Sequence, residues 1–464
     1  MANNVDTQHK SYAAMQVKRD VFHAVKGGTD ALWAGDKTYL PKYPGENDPT
    51  YQARKKMSTI DGIVSGGVDG LCGATFHGDI DVTGVATEIQ PLLENIDNEG
   101  NSFNVFARRA FEESFDGFSV IIVDQPKVDQ SQVASLEDKQ RLGIRPYWRL
   151  YTAANVWNWR YRVNPKTQAK ELSLLVLREI TEEVKDVYES EEVTRYRVYF
   201  FNEQGVVLMR LYRKTSDTGE GQFVQEGSEI AFPYFSAIPA VTIGDLKDEP
   251  KLLVESRLEV LGYQKESSFN IIEYLSIPVL WTKGWQPKNA NDKLAIGASA
   301  HLILSDTPQS AAGYLSIDSG GHASLKETIA NIKNTIKARL NFIVESANQQ
   351  AKTATQANIE NQDKQSRLIV WAEQFRDALE LALSFTAEAM GMGKDKGGEI
   401  KLISEWNAND DPTEQTLVLT ALEKKRDVLD IPIDELRKEY GYSEDQIKKF
   451  NKENDLMPED RDWE

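Results

Sequence analysis

The chain has 464 residues, 40% of them hydrophobic and 27% charged, with a formal net charge of -18. That balance excludes a globally disordered chain, and the length suffices for two or three domains. The acidic total excludes a protein that wraps nucleic acid on a broad basic surface, although a conduit letting a polyanion slide should also avoid a binding well. One cysteine, Cys72, excludes an intrachain disulfide and a cysteine-based zinc site, and fits folding in a reducing cytoplasm. Residues 1–18 lack an apolar signal-peptide core, and no run approaches the roughly 18–20 apolar residues of a membrane span, so neither is expected.

Residues 1–34 have scattered apolar positions (Tyr12, Met15, Val21, Val25) that predict a helix behind a loose arm. Pro41, Pro44, Gly45 and Pro49 mark an extended loop over 37–49. Helical spacing returns over 51–71, weakened by Gly62, Gly66, Gly67 and Gly70. Residues 91–116 are predicted as one helix through Phe103, Phe106, Ala110 and Phe111, closed by Gly117. The apolar run 118–124, ended by Pro126, reads as a buried strand. From 145 to 243 the pattern is mainly β, with a hairpin turn at Asn202–Gly205.

The second half changes character. A helix is predicted over 252–275, stopped by Pro278, and short strands and turns follow around Trp281, Gly284, Trp285 and Pro287. Strands are expected at 300–304 and 313–317, then a long helix over 324–345. The polar, nearly uncharged stretch 347–362 reads as a flexible loop. An amphipathic helix over 363–390 carries Leu368, Trp371, Phe375, Leu379, Leu383 and Thr386 on one face, and Gly391 to Gly398 break it. A strand is expected at 400–406, a turn at 407–412, and short charged helices over 414–455.

Enzymatic signatures are absent. The five histidines (His9, His23, His77, His301, His322) show no metal-ligand spacing, so no metal or other cofactor is expected. The glycines of 66–73 lack the Gly-Lys-Ser/Thr of a phosphate loop and read as sites of close packing or a bend. Glu112-Glu113 and Asp410-Asp411 read as solvated surface charge, so no catalytic residue is assigned. Lys326, Lys333 and Lys337, spaced seven and four apart, share one helix face. On a single subunit this is a solvated face; repeated around a ring axis it becomes a ladder of mobile positive charge that touches phosphates without reading sequence.

Several stretches in fixed order resemble a tailed-phage portal family first catalogued as a domain of unknown function. They are Lys37-Thr-Tyr-Leu-Pro41 with Tyr51-x-x-Arg54; Glu94-Asn-Ile-Asp97 with Gly100-Asn-Ser102 and Phe106-Ala107; and Asp116 through Pro126. Arg145-Pro-Tyr147, Tyr151, Asn158-Trp-Arg160, Leu177-Arg-Glu179, Ile296-Gly297, Thr353-Ala354, Leu379 to Ala382 and Ala387-x-x-Met-Gly391 continue the match over roughly residues 35–440. After Pro412 the chain carries little of it.

The resemblance implies an α+β portal fold. Residues 1–250 would form an N-terminal wing, 251–276 the first stem helix, 277–321 a small α/β clip and 322–346 the second stem helix. Residues 347–411 would form the tunnel loop and C-terminal wing, and 412–464 a helical crown. It further implies a homo-oligomeric ring, typically a dodecamer, at a capsid vertex of the virion, assembled in the host cytoplasm. The ring would pass double-stranded DNA without sequence specificity. Its partners would be the terminase large subunit, capsid and scaffolding proteins, then head-completion, adaptor and tail proteins. The expected channel residues are Lys326, Lys333, Lys337, Asn348, Gln349, Gln350, Lys352, Thr353, Thr355 and Gln356, and the expected clip docking residues are Trp281, Lys283, Trp285 and Lys288. Another ring-forming virion adaptor, or a carboxylate-based hydrolase, would be the alternative.

Overall fold

A computed structural model describes residues 4–76, 80–126, 144–164, 168–214, 223–276, 279–284, 304–305, 309–315, 320–340 and 354–402. The chain divides into two units, Met1–Leu402 and Ile403–Glu464. The second lies outside the described residues, as do the turn at 407–412 and the helices expected over 414–455. Helix and strand both contribute substantially, at 45% and 26%. Every described strand pairing is antiparallel, so the class is α+β.

The first unit is organised around β2 (Ser119–Asp124), the middle strand of a three-stranded sheet. Its neighbours are β10 (Ala240–Ile243) and β3 (Tyr147–Thr152). All six residues of β2 are buried, which is why its sequence is a continuous apolar run with no alternation. Helix α5 (Phe103–Glu113) lays Phe103, Phe106, Ala107, Ala110 and Phe111 into this core. The side chain of Ser102 caps it by accepting from the Val105 N–H at 3.4 Å. The helix expected from residue 91 is shorter because Asp97 diverts the chain. Its carboxylate accepts from the N–H groups of Glu99 (2.9 Å) and Asn101 (3.2 Å), stabilising a turn.

Beside it lies a six-stranded sheet containing β4 (Val156–Val163), β5 (Lys170–Val184), β6 (Ser190–Phe201), β7 (Val207–Lys214), β8 (Phe223–Gln225) and β9 (Ile230–Phe232). The β6–β7 turn falls at Asn202–Gly205 as expected, with Gly205 at φ 79° and Val206 N–H bonded to Asn202 Oδ1 at 2.8 Å. One sheet face sends Leu175, Leu177, Tyr199, Val207 and Met209 into the main core. The other carries a smaller cluster of Val176, Tyr196 and Phe223, on which Val5 of the N-terminal arm packs. Charge joins the two sheets: Arg197 donates to Asp124 at 3.0 Å and to Glu179 at 2.7 Å, all three being buried or nearly so.

Helices cover the rest. α1 (Tyr12–Lys26) and α2 (Gly28–Ala34) correspond to the expected N-terminal helix. The helix expected over 51–71 is two, α3 (Asp48–Met57) and α4 (Ile63–Thr75). Gly62 between them sits at φ 71°, where an L side chain is strained. α6 (Leu253–Ser276) and α7 (Gly320–Leu340) follow. Between them β11 (Val279–Lys283) and β12 (Ala311–Leu315) form a separate hairpin. α8 spans Ala354–Ala389, so the loop expected over 347–362 is corrected: from Ala354 onward the backbone is helical. That stretch has no glycine or proline and is rich in Ala and Gln, whose helix propensity outweighs the signal of low charge. Farther along, Phe375, Leu379, Leu383 and Thr386 are buried as the periodicity predicts. The Trp148 indole donates to Thr386 at 2.8 Å, fixing α8 to β3. β13 (Glu399–Lys401) pairs with β1 (Asp81–Thr83); the strand expected to reach 406 is described only to its third residue.

Candidate functional site

The elements carrying the expected site residues are α6, the β11/β12 hairpin, α7 and the start of α8. α6 and α7 lie antiparallel, as three contacts along their length establish. Arg339 donates to Glu255 at 2.7 Å, Ile332 Cγ2 stands 3.6 Å from where a Gly262 Cβ would be, and the His322 ring stacks on Phe269 at 4.3 Å. At mid-length an added Cβ on Gly262 would be in ordinary van der Waals contact with Ile332.

The opposite face of α6 is tied to the N-terminal helices. Tyr263 packs in a cluster with Ala24, Leu32, Tyr39, Leu40 and Tyr51. Gln264 donates to the Tyr39 carbonyl at 2.8 Å, and Arg54 to Ser267 at 3.2 Å. Glu259 reaches the first turn of α4, accepting from Ile63 N–H at 2.7 Å and Val64 N–H at 2.8 Å. A carboxylate there satisfies two otherwise orphan donors and complements the helix dipole. Burial pushes the Glu259 carboxyl up, a rise these backbone bonds only partly offset.

On α7 the buried stripe is Ile329, Ile336 and Leu340, with Leu340 seated against Gly67 of α4. At 100° per residue, Lys326, Lys333 and Lys337 lie about 40–80° to one side of that stripe. The three do share a face, but their environments differ. Lys326 and Lys337 are exposed. Lys333 is half-buried and ion-paired with Asp61 and with Glu266 of α6, in a crevice also lined by Ile60, Ile63, Glu259 and Tyr263. Burial pulls its amine down, and the two carboxylates more than reverse this, so its pKa ends raised. Lys333 thus staples α7 to α6 and to the α3–α4 connection. The exposed face is also not uniformly positive, since Glu327 lies on it.

Of the other expected channel residues, Thr355 and Gln356 fall in the first turn of α8, while Asn348, Gln349, Gln350, Lys352 and Thr353 lie outside the described residues. In the hairpin, Trp281 is 44% exposed and lies across Gly313, whose added Cβ would stand 3.1 Å from the indole nitrogen. Lys283 is exposed at the strand end, and Trp285 and Lys288 lie outside the described residues.

One residue escaped sequence reasoning altogether. The Lys251 amine, just before α6, lies 5.0–5.6 Å from the ring centroids of Phe111, Phe115 and Trp371 and donates to Ser114 Oγ at 2.9 Å. Burial pulls its pKa down to about 8. No local signal marks it, because its ring partners lie more than a hundred residues away on either side. Among the described residues no group of three or more His, Cys, Asp or Glu could hold a metal ion, and no helix is long and apolar enough to cross a membrane.

Comparison with curated proteins gives no match. Residues 257–390, which take in α6 from its second turn, the hairpin, α7 and all of α8, match the model of a domain family of unknown function, DUF4055.

Proposed function

We propose that the chain is a portal subunit: one copy of a ring at a capsid vertex, through which double-stranded DNA is packaged and ejected, with no catalysis of its own. The observation that carries this reading is the arrangement of residues 253–389. A long helix leaves an α/β body, a small β-hairpin follows, a second long helix returns antiparallel, and a third buries its second half in the core. This is the order that the portal resemblance implies for stem, clip, stem and wing. The DUF4055 match falls on the same segment. In this reading Lys326 and Lys337 face the DNA as point charges, and Lys333 holds the stem to the body. The hairpin with Trp281 and Lys283 faces the packaging motor and later the head-completion and tail proteins.

The test is particle mass and shape. Mass photometry and negative-stain images of the purified full chain, alone and with scaffolding protein present, are expected to show a closed ring with a central opening. A chain that stays monomeric at micromolar concentration in both preparations rules the proposal out.

A further inference from the structure

The β5–β6 hairpin extends past its neighbours. β4 pairs with β5 only as far as Leu177, and β7 pairs with β6 only from Arg195 onward. Beyond those points residues 180–184 and 190–194 have, among the described residues, only each other as strand partners. The register of this ribbon sets Glu182 directly opposite Glu192 and Glu183 directly opposite Glu191. Like charges in directly opposed positions destabilise a strand pair.

The two faces handle this differently. Residues 183, 185, 191 and 195 share one face, where Glu183 is ion-paired with Arg195 and with Arg213 at 2.9 Å, and Glu191 with Lys185 at 2.8 Å. On the other face, neither Glu182 nor Glu192 is ion-paired among the described residues. Glu182 receives only a long hydrogen bond from Ser190 at 3.5 Å. Two cations share that face: Lys214, which the β6–β7 register sets opposite Thr194, pairs with neither carboxylate, and Arg178, four residues from Glu182, stacks on Trp157 at 5.0 Å. The same face exposes apolar side chains to either side of the pair, Ile180 at 52% and Val184 at 78%. The tip beyond adds Val187 and Tyr188, almost fully exposed. Charges that merely protect a free strand edge would not be interleaved with bare aliphatic groups.

We propose that this face, Ile180, Glu182 and Val184 on β5 with Ser190, Glu192 and Thr194 on β6, docks an extended cationic segment of a second protein. A guanidinium or ammonium group entering between Glu182 and Glu192 removes their repulsion, and flanking apolar side chains of the partner cover Ile180 and Val184. The surface is made by β5 and β6 alone and takes no residue from the α6–α7 pair.

The test uses the full chain and a fluorescent synthetic peptide of repeating Val-Ser-Arg-Ser, which in an extended chain sets valine and arginine on one face, with the same peptide carrying glutamine for arginine as control. The arginine peptide is expected to bind, and more weakly as salt rises. E182Q/E192Q is expected to weaken it about tenfold, as befits loss of a close interfacial charge pair. A matched double change at exposed carboxylates elsewhere, E94Q/E203Q, leaves binding unchanged. E192K places a cation opposite Glu182. It is expected to slow hydrogen exchange across 180–194 about two- to fivefold while abolishing peptide binding. Equal binding by E182Q/E192Q and E94Q/E203Q overturns the proposal. So does a self-associated chain that E182Q/E192Q dissociates, because the occupant is then a second copy.

Discussion

The Glu259 carboxylate on α6 accepts the backbone N–H of Val64 at 2.8 Å, so the first turn of α4 is completed by a residue nearly two hundred positions later in the chain. Glu259→Ala leaves two buried N–H groups without acceptors and is expected to cost about 1–3 kcal/mol in urea unfolding. Glu259→Gln keeps one acceptor and costs less. The pH dependence has a definite sign. Because burial raises the folded pKa above the unfolded value, the fold binds the proton more tightly, and stability falls as pH rises through that window. The Gln variant is flat there, so the wild type gains on it as the solution is acidified.

Arg197 carries a heavier consequence. It holds Asp124 and Glu179 together where the two sheets meet, and Arg197→Met leaves both buried carboxylates with only the longer contacts of the more exposed Arg149, at 3.5 and 3.8 Å. Breaking a buried pair from one side costs about 3–5 kcal/mol. Burial pushes the Glu179 carboxyl up, and Arg197 together with Tyr151 and Arg149 more than reverses this, leaving it lowered. The wild-type pair therefore stabilises the fold above the unfolded carboxylate pKa and loses that contribution as pH falls through the lowered folded value. Thermal unfolding midpoints of wild type and variant should converge in acid; curves that stay parallel would show that the difference does not depend on ionisation of these carboxylates.

Lys251 has the opposite pH signature from an ordinary surface lysine. Its folded pKa is about 8 against 10.5 in the unfolded chain, so between those values the unfolded state binds more protons and stability rises with pH. Lys251→Met, which keeps the packing against Phe111, Phe115 and Trp371, should remove that rise. Denaturant titrations across the window decide it: a variant that rises like the wild type contradicts the assignment.

The lysines of α7 separate by role. Lys333→Met loses contacts to Asp61 and Glu266 and should lower the unfolding midpoint. Lys326→Ala with Lys337→Ala should leave stability within about 0.5 kcal/mol, as for exposed positions. If the portal proposal holds, the exposed double change reduces retention of packaged DNA. Unchanged packaging and retention would leave those two lysines as solvated surface.

The long elements are legible in the sequence wherever one period persists, as in α6, α7 and the second half of α8, and β2 is legible from its unbroken apolar run. Boundaries are misplaced where a single side chain or backbone angle decides them, as with Asp97 before α5 and Gly62 between α3 and α4. The start of α8 was missed because low charge was weighed above helix propensity. The shared lysine face was visible from spacing, but the capture of Lys333 was not. Asp61 and Glu266 are remote in sequence, and no local pattern encodes a pairing made by tertiary packing.

The stacked rings of Phe269 and His322 lie near the two outer ends of the helix pair. The chain therefore departs from one helix and rejoins the other at adjacent points, and residues 277–319 are topologically a cassette. Closing a longer or shorter insert across that fixed gap changes the entropy only logarithmically. The helices thus set no length for what they carry, and the insert at this position can be exchanged while the body keeps its own core.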